Sequence, residues 1–333
     1  MRRHVELGLL VLVLLLAAAL RMGWPGISEF KRDEALLSQA ALEMARGKGV
    51  PLHGITSSVG VPNSPLSVYL FAIPYALSPD PTLATQFVGA LNIVAVALTW
   101  WLARRYFGAW AGLAAALLYA ASPWGVLYAR KVWAQDVLPP FVLLTVITGL
   151  IGFVEREQEG KGASRWRWQV AHLVLLALTV QIHLSAVSLV PLTLVMAVIG
   201  RRSVATAGRR LWLGVALAAL TFVPVAVAAV QGEWWGAVER VLTSGGRALS
   251  LSAEALHHAH LVVAGVGIHA LAGPGGFSAY LASVPDVFSL LALVGWLALA
   301  AALGLIVSGA HSAAYRERLI LGLWAALPVL TFT

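Results

Sequence analysis

The chain contains no cysteine, and only 11% of its 333 residues are charged. Without cysteine it can form neither a disulfide nor a thiolate metal site. Soluble domains carry charge on roughly a quarter of their residues, whereas here 59% of the residues are hydrophobic and the mean hydropathy is +0.82. The composition therefore excludes an ordinary soluble domain. It predicts an all-α integral membrane protein, because a spanning helix needs about twenty apolar residues and the sequence has many such runs.

Acidic residues are also scarce, at 15 against 23 Lys and Arg, which gives a net charge of +8. A basic chain could bind nucleic acid. Here, however, the basic residues stand in short clusters between apolar segments, as the orientation signals of membrane proteins do. We therefore expect membrane lipids, and no nucleic acid, as partners.

The apolar segments predict a single domain, residues 1–333, with about nine spans. They lie at about 6–22, 83–103, 109–121, 137–154, 170–199, 211–230, 287–307 and from 319 onward. The stretch 170–199 holds two spans with a break near "QIHLS". The first segment is long for a signal peptide and is taken as a span. The ninth is cut off by the end of the sequence, so we expect a C-terminally truncated protein.

The distribution of basic residues predicts an orientation. If the N-terminus is cytoplasmic, every loop on that side carries at least two Lys or Arg. The loops on the other side, at about 24–81, 122–136 and 231–285, are longer and carry few for their length. This is the positive-inside pattern. It predicts a multi-pass protein of the plasma (inner) membrane with these three long loops on the outer face.

Two adjacent acids, Asp33 and Glu34, follow the first span in "FKRDEALLSQAALEMARG". Apolar residues then recur at helical spacing, at Leu36, Leu37, Ala40, Ala41 and Met44. This spacing predicts an amphipathic helix lying along the membrane surface in the first outer loop, with Asp33 on the same face as Leu36 and Leu37. A structural alternative is that Asp33 is the helix N-cap and Glu34 a first-turn acid.

A third acid, Asp136, stands in "ARKVWAQDVLPPF" at the outer start of the fourth span. A carboxylate near lipid is costly, so acids there usually have a partner or a function. The structural alternatives are a helix cap or an ion pair with Arg130 or Lys131. Those two cations would also suit a phosphate group, although lipid head groups alone account for them.

Histidines provide two weaker candidates. Gln181 and His183 stand at the helix break in "VQIHLSAV", where polar residues are uncommon within a membrane. Substrate binding and a structural hydrogen bond both explain His183. In "AEALHHAH", Glu254, His257 and His258 could share a helical face, but ordinary surface histidines are favoured and no zinc signature is present.

Together these motifs resemble the GT-C superfamily of polyprenyl-phosphate-dependent glycosyltransferases, in particular its aminoarabinose transferase and protein O-mannosyltransferase branches. The resemblance lies in "DEALLSQAALEMARG", in "NSPLSVYLFAIPYAL", in "ARRYFG" and in "SPW…YARKVWAQD". It extends to about Pro191 and is weaker beyond.

The resemblance implies a multi-spanning GT-C-type helical bundle with interfacial helices in the first outer loop. It implies a membrane-bound hexosyl- or pentosyltransferase that moves a sugar, with inversion, from a polyprenyl-phosphate donor to a hydroxyl of a lipid, glycan or protein acceptor on the outer face. Asp33 would be the general base, Glu34 its acidic neighbour, and Asp136 would bind the acceptor or a cation. No cofactor is certain, and a divalent cation is left open.

The resemblance also suggests substrate-binding residues. Arg130 and Lys131 would face the leaving phosphate, and His183, Tyr69 and Asn63 would line the substrate site. Many relatives carry a basic residue before a Pro-Pro-Leu turn, where this chain reads "PNSPL". This departure weakens the expectation of a phosphate contact at that position, while Asn63 stays a candidate substrate-binding residue.

Two other functions remain open, a secondary transporter and a non-catalytic lipid-binding membrane protein. Transporters place charges near the bilayer midplane and are often built from repeats. Here the acids cluster at span ends, and no internal repeat is visible. A lipid-binding protein would need no acidic pair in an outer segment.

Overall fold

A computed structural model of the chain describes residues 2–56, 62–155, 165–232 and 314–332, together with a few positions between 261 and 304. Within these ranges the backbone is helical, with one isolated bridge between Thr56 and Pro62 and no strand. The all-α prediction is therefore confirmed. The predicted loop at 231–285 and the predicted span at 287–307 lie largely outside the described residues, and the histidines of "AEALHHAH" lie entirely outside them.

The first part of the chain forms six helices. They are α1 (Arg3–Met22), α2 (Arg32–Ala45), α3 (Leu66–Leu77), α4 (Pro81–Phe107), α5 (Ala109–Ala121) and α6 (Pro123–Tyr128). Helices α2 and α3 form in the first predicted outer loop. Helix α4 begins at a proline that follows the N-cap Asp80, whose carboxylate accepts a hydrogen bond from the backbone N–H of Thr82 at 2.8 Å.

The remaining helices begin with a 3-10 turn at Ala134–Val137. It leads into α7 (Leu138–Gly149), which continues as a π turn at Leu150–Val154. The described helices that follow are α8 (Arg165–Ile182), α9 (Leu189–Ile199), α10 (Arg201–Ala207), α11 (Leu211–Thr221), α12 (Val223–Val230) and α13 (Tyr315–Phe332). Two further 3-10 turns lie at Leu184–Ser188 and Gly208–Arg210. The 3-10 turn after α8 lies at the predicted break near "QIHLS".

Three described helical segments are long and apolar enough to cross a membrane: α1, α4 and the continuous stretch Ala134–Val154. The pair Leu184–Ile199 and Arg201–Thr221, bent by 85°, provides a fourth candidate. Helices α3 and α5 are apolar but shorter. These helices support a membrane-embedded protein, and the count of about nine spans stays a prediction.

The helices pack around α4, which contacts α1, α5 and α7, while α8 packs between α7 and α11. The buried core connects α2 and α3 to this bundle through Leu37, Phe71, Val88, Leu150 and Ile182, all of which have no exposed surface. The amphipathic segment after α1 is therefore packed on the bundle and is positioned by it.

Charged side chains join distant segments at the two ends of the bundle. At one end, which we call the Arg104 end, Arg104 pairs with Glu6, and Arg105 binds Glu155 through two hydrogen bonds of 2.6 and 2.8 Å. At the other end Arg21 donates to the backbone carbonyls of Ala120 and Tyr119 at 2.7 and 2.8 Å. Each end thus joins segments that the sequence places on one side of the membrane.

Candidate active site

Helix α2 begins beside Lys31 because Glu34 caps it. The Glu34 carboxylate accepts a hydrogen bond from the backbone N–H of Lys31 at 3.0 Å. The buried face of α2 consists of Glu34, Leu37, Ser38 and Ala41. Successive residues are about 100° apart around a helix, and Asp33 is exposed. Asp33 lies about 40° from Leu37 around the helix, as predicted, but at the exposed edge of this face, because Glu34 is one of its buried residues. The capping role that the sequence offered to Asp33 belongs to Glu34.

Lys131 brings this face of α2 into contact with the segment that follows α6. Its Nζ lies 2.5 Å from Oε2 of Glu29 and 3.1 Å from Oε1 of Glu34. Glu29 also pairs with Lys31. Lys131 is only 8% exposed, and a buried ammonium is tolerated where carboxylates compensate its charge. We call Glu29, Glu34 and Lys131 the Lys131 cluster.

The charges of the Lys131 cluster stabilise one another. The hydrogen bond from Lys131, with a further one from Lys31, lowers the pKa of Glu29. Burial alone would lower the pKa of Lys131, but its hydrogen bonds to Glu29 and Glu34 outweigh burial and raise it. Both members of the Lys131–Glu29 pair are thus charged at neutral pH. A phosphate could reach Lys131 directly only by joining or displacing a carboxylate.

Arg130, the other cation predicted to face a phosphate, is engaged with the backbone after α1. Its guanidinium donates to the carbonyls of Leu20 at 2.8 Å, Trp24 at 2.7 Å and Ile27 at 3.2 and 3.1 Å. These contacts use four of the five N–H donors of a guanidinium. Trp24 has a φ of 49°, in the left-handed region, and Arg130 binds its carbonyl. The contacts of Arg130 are therefore structural.

Asp136 lies in the 3-10 turn before α7 and is 4% exposed. Its backbone carbonyl accepts a hydrogen bond from Nδ2 of Asn92 at 2.8 Å, and Oδ1 of Asn92 accepts one from the Tyr119 hydroxyl at 3.1 Å. Its carboxylate oxygen Oδ2 is buried and has no hydrogen-bond partner among the described residues. The alternative ion pairs with Arg130 and Lys131 do not form in this part of the chain.

The backbone N–H of Asp136 donates to the carbonyl of Trp133 at 3.0 Å, and the Trp133 ring lies 4.9 Å from Nζ of Lys131, which pairs with Glu34. Two of the three predicted catalytic acids, Glu34 and Asp136, are therefore near each other although they come from distant segments. Asp33 is the direct neighbour of Glu34 in the first turn of α2, on the exposed side.

A cavity of about 400 Å³ lies beside Asp136. Its aromatic walls are Tyr119, Trp124, Tyr128 and Trp133, and its polar side chains include Asn92, Gln135 and Asp136. The ring of Tyr128 stacks on both Trp124 and Trp133, with centroids 5.7 and 6.2 Å apart. Oε1 of Gln135, like Oδ2 of Asp136, is buried without a hydrogen-bond partner among the described residues. Such a cavity can hold a ligand that has an apolar face and a hydroxyl edge.

Asn63 and Tyr69 are used in local structure. The Asn63 side chain donates to the carbonyl of Ile55 at 2.8 Å, and the Tyr69 hydroxyl donates to the carbonyl of Pro51 at 2.6 Å. Neither residue lines the cavity beside Asp136. Their substrate-binding roles stay predictions.

His183 caps the 3-10 turn that follows α8. Its Nδ1 accepts a hydrogen bond from the backbone N–H of Ser185 at 3.2 Å. Gln181, two residues earlier, donates to the Thr221 hydroxyl at 2.7 Å and accepts from the Ser64 hydroxyl at 3.3 Å. The hydrogen bond from Ser185 gives His183 the structural role that was one of its two sequence-based explanations. Substrate binding by His183 stays a prediction.

The sequence did not point to Glu29 or to Asn92. Glu29 lies in an irregular segment, and its partner Lys131 comes far later in the chain, so no local motif identifies it. Asn92 is a polar residue in the apolar helix α4, which is a signal for a buried contact, but its partner Asp136 is also distant. In the described part of the chain, no group of three or more His, Cys, Asp or Glu side chains is placed to hold a metal ion.

Comparison with known proteins gives a family match over part of the chain. Residues 62–227, about half of the chain, match the model of the dolichyl-phosphate-mannose-protein mannosyltransferase family. The match includes Asp136 and begins after Asp33 and Glu34. None of the curated proteins matches the chain.

Two solved structures share the fold, both of ArnT from Cupriavidus metallidurans. The structure bound to undecaprenyl phosphate is 17% identical, with a TM-score of 0.54 over 99% of this chain and 55% of the ArnT chain. The apo structure has the same identity and TM-score over 98% of this chain and 58% of its own. This chain thus spans little more than half the length of ArnT. As the sequence motifs indicated, the family match and the shared fold support the assignment of the chain to the GT-C superfamily of glycosyltransferases.

Proposed function

We propose that the chain is the membrane domain of a glycosyltransferase that moves a sugar from a polyprenyl-phosphate donor to an acceptor hydroxyl. The observation that carries this proposal is the Asp136 carboxylate, buried and without a hydrogen-bond partner among the described residues, in the wall of an aromatic cavity. The family match is to mannosyltransferases, and the ArnT structure of the same fold holds undecaprenyl phosphate. Both support a lipid-phosphate donor here.

The three acids suit different roles in this reaction. A general base must reach the hydroxyl proton that it removes, and Asp33 is the exposed acid of the three. Glu34 is occupied by the backbone of Lys31 and by Lys131. Asp136 can accept a hydrogen bond from a hydroxyl of the bound sugar or acceptor. We therefore assign the base to Asp33, positioning of α2 to Glu34, and substrate binding to Asp136.

The proposed step is a single displacement with inversion. The acceptor oxygen attacks the anomeric carbon of the donor sugar while Asp33 takes the hydroxyl proton. The bond from the anomeric carbon to the phosphate oxygen breaks, and its electron pair leaves with the lipid phosphate. Positive donors stabilise such a leaving group. Lys131 can provide one if the phosphate displaces Glu29, the more exposed of its two carboxylate partners.

We place this reaction on the outer face of the inner (plasma) membrane, with the N-terminus in the cytoplasm. The support is the positive-inside count and the grouping of Glu6, Arg104, Arg105 and Glu155 at one end of the bundle. A single domain with about nine spans fits the helices that are described. The proposal includes a lipid, glycan or protein as the acceptor and a hexose or a pentose as the transferred sugar. It leaves the use of a divalent cation open.

The test compares cells that lack the full-length gene with cells in which it is restored. Mass spectrometry of membrane glycolipids and glycans should show a product that is lost on deletion and returns with the wild type. Restoration with Asp33→Asn should lower this product roughly a hundredfold or more, the size expected for an acid–base group. Asp136→Asn should lower it roughly tenfold or more, the size expected for the loss of a charged hydrogen bond to the substrate. Asp80→Asn is the matched control, because Asn is as good an N-cap as Asp. If both site variants restore the product fully at equal membrane levels, the proposal is wrong.

A further inference from the structure

A second cavity, of about 620 Å³, lies at the Arg104 end of the bundle. Its walls come from the π turn after α7, the start of α8, the junction of α9 and α10, and α13. Asp136 and Glu155 lie at the two ends of one continuous helical stretch. The two cavities are therefore roughly 30 Å apart, at 1.5 Å per residue.

The second cavity is strongly basic, since Arg165, Arg201, Arg202 and Arg316 line it. The one carboxylate among its described lining residues, Glu155, is already bound by Arg105 at 2.6 and 2.8 Å and by the Tyr106 hydroxyl at 2.8 Å. Arg201, Arg202 and Arg316 are exposed and form no ion pair with any described residue. Within the part of the chain that the structure describes, the charges of these three arginines are therefore not paired with a carboxylate.

Buried polar contacts fix the floor of this cavity. Both the Ser203 hydroxyl and Nε2 of Gln169 donate to the carbonyl of Gly152 at 3.0 Å. Gly200 packs directly against the carbonyl of Phe153, where a Cβ would collide with the oxygen. The arginines are therefore carried by helices whose junctions are closely packed.

An apolar stripe leads away from the cavity along α9. Val190, Leu194 and Val198 recur every four residues and are 38%, 62% and 71% exposed. Val198 also lines the cavity, and Leu319 of α13, 36% exposed, forms another apolar wall. A basic pocket joined to an exposed apolar stripe matches a molecule with an anionic head and hydrocarbon chains.

We propose that this cavity binds the phosphate head group of an anionic membrane lipid, whose acyl chains lie along the α9 stripe. Basic pockets between membrane helices at the cytoplasmic side bind such head groups. The lipid would join α8, α10 and α13 at the end opposite the Asp136 cavity. The inference depends on membrane embedding and not on sugar transfer, and its readout is lipid retention.

The test uses the full chain purified in detergent and mixed with equal amounts of phosphatidylglycerol and phosphatidylcholine. Native mass spectrometry then counts the retained lipids. The wild type should retain phosphatidylglycerol in preference, and Arg202→Gln with Arg316→Gln should lower that retention roughly 100-fold, since each guanidinium that contacts the phosphate contributes about tenfold through a charged hydrogen bond. The control is Arg3→Gln with Arg209→Gln, which removes two exposed arginines that do not line the cavity and should leave retention unchanged.

A second variant separates binding from folding. Arg202→Lys with Arg316→Lys keeps the charge and should keep most of the retention. Equal retention of the two lipids by the wild type, or equal losses in the cavity and control variants, would overturn the proposal. So would stabilisation of the lipid-free protein by inorganic phosphate as large as that by phosphatidylglycerol, because the site would then take free phosphate.

Discussion

Lys131 is the residue on which the candidate site is organised. It compensates two carboxylates, and its Nζ also lies 4.9 Å from the ring centroid of Trp133 and 5.7 Å from that of Tyr128. A cation over an aromatic face gains further stabilisation when it is desolvated. Lys131 thereby connects α2 to the rings that wall the Asp136 cavity. Glu29, 27% exposed at its side chain, is the partner that a ligand can displace at the lowest cost.

The first prediction concerns Glu29→Gln. Removing this charge frees Lys131 for a phosphate, so the variant should bind undecaprenyl phosphate about fivefold more tightly, because a charged hydrogen bond contributes about 1 kcal/mol or more. Quenching of tryptophan fluorescence, with Trp133 next to Lys131, reports binding to the purified full chain. Glu43→Gln is the control, since Glu43 lies at the other end of α2 and bonds only Gln39 among the described residues.

Weaker or unchanged binding in Glu29→Gln, with Glu43→Gln like the wild type, would show that Glu29 does not compete with a phosphate. That result would remove Lys131 from the proposed leaving-group contact and leave the roles of Asp33 and Asp136 untouched.

At the scale of elements, α2 shows that a local sequence pattern can predict a helix without predicting which of its faces is buried. The spacing of apolar residues predicted a helix after the acidic pair, and the structure has one at Arg32–Ala45. The face was assigned one residue too early, because Leu36 and Leu37 are both apolar and the sequence alone does not choose between them. The buried face carries Leu37 and Ala41, which pack in the core, and Glu34, which pairs with Lys131 from a distant segment. Leu36 is consequently 44% exposed and Leu37 fully buried.

The second prediction follows from this difference between neighbouring acids. Glu34→Ala removes a cap and one partner of a buried lysine, and should lower the thermal midpoint in detergent by roughly 5 °C. Asp33→Ala, at an exposed position, should leave the midpoint within about 1 °C, since most surface substitutions change stability little. Thermal unfolding followed by circular dichroism checks both. Equal midpoints for the two variants would mean that Glu34 does not hold α2 on the bundle.

At the scale of the whole molecule, the positions of the helices followed from the sequence better than their contacts did. Apolar runs predicted a helix at 109–121, where α5 lies, because the length of a run limits where a helix can begin and end. The contact of Arg21 with the end of α5 and that of Arg130 with the end of α1 depend on which helices are neighbours. One sequence provides no signal for such pairs.

The third prediction tests the orientation on which the outer-face reaction depends. Since the chain has no cysteine, a single introduced thiol reports alone. Ser28→Cys lies in the exposed segment between α1 and α2, and Ala205→Cys lies exposed on α10 at the Arg104 end. In intact cells, after removal of any outer barrier, a membrane-impermeant maleimide should label Ser28→Cys and reach Ala205→Cys only after permeabilisation. The reverse labelling would put the acidic residues in the cytoplasm, and it would overturn the proposed face of the reaction while leaving the fold and the Asp136 cavity as they are.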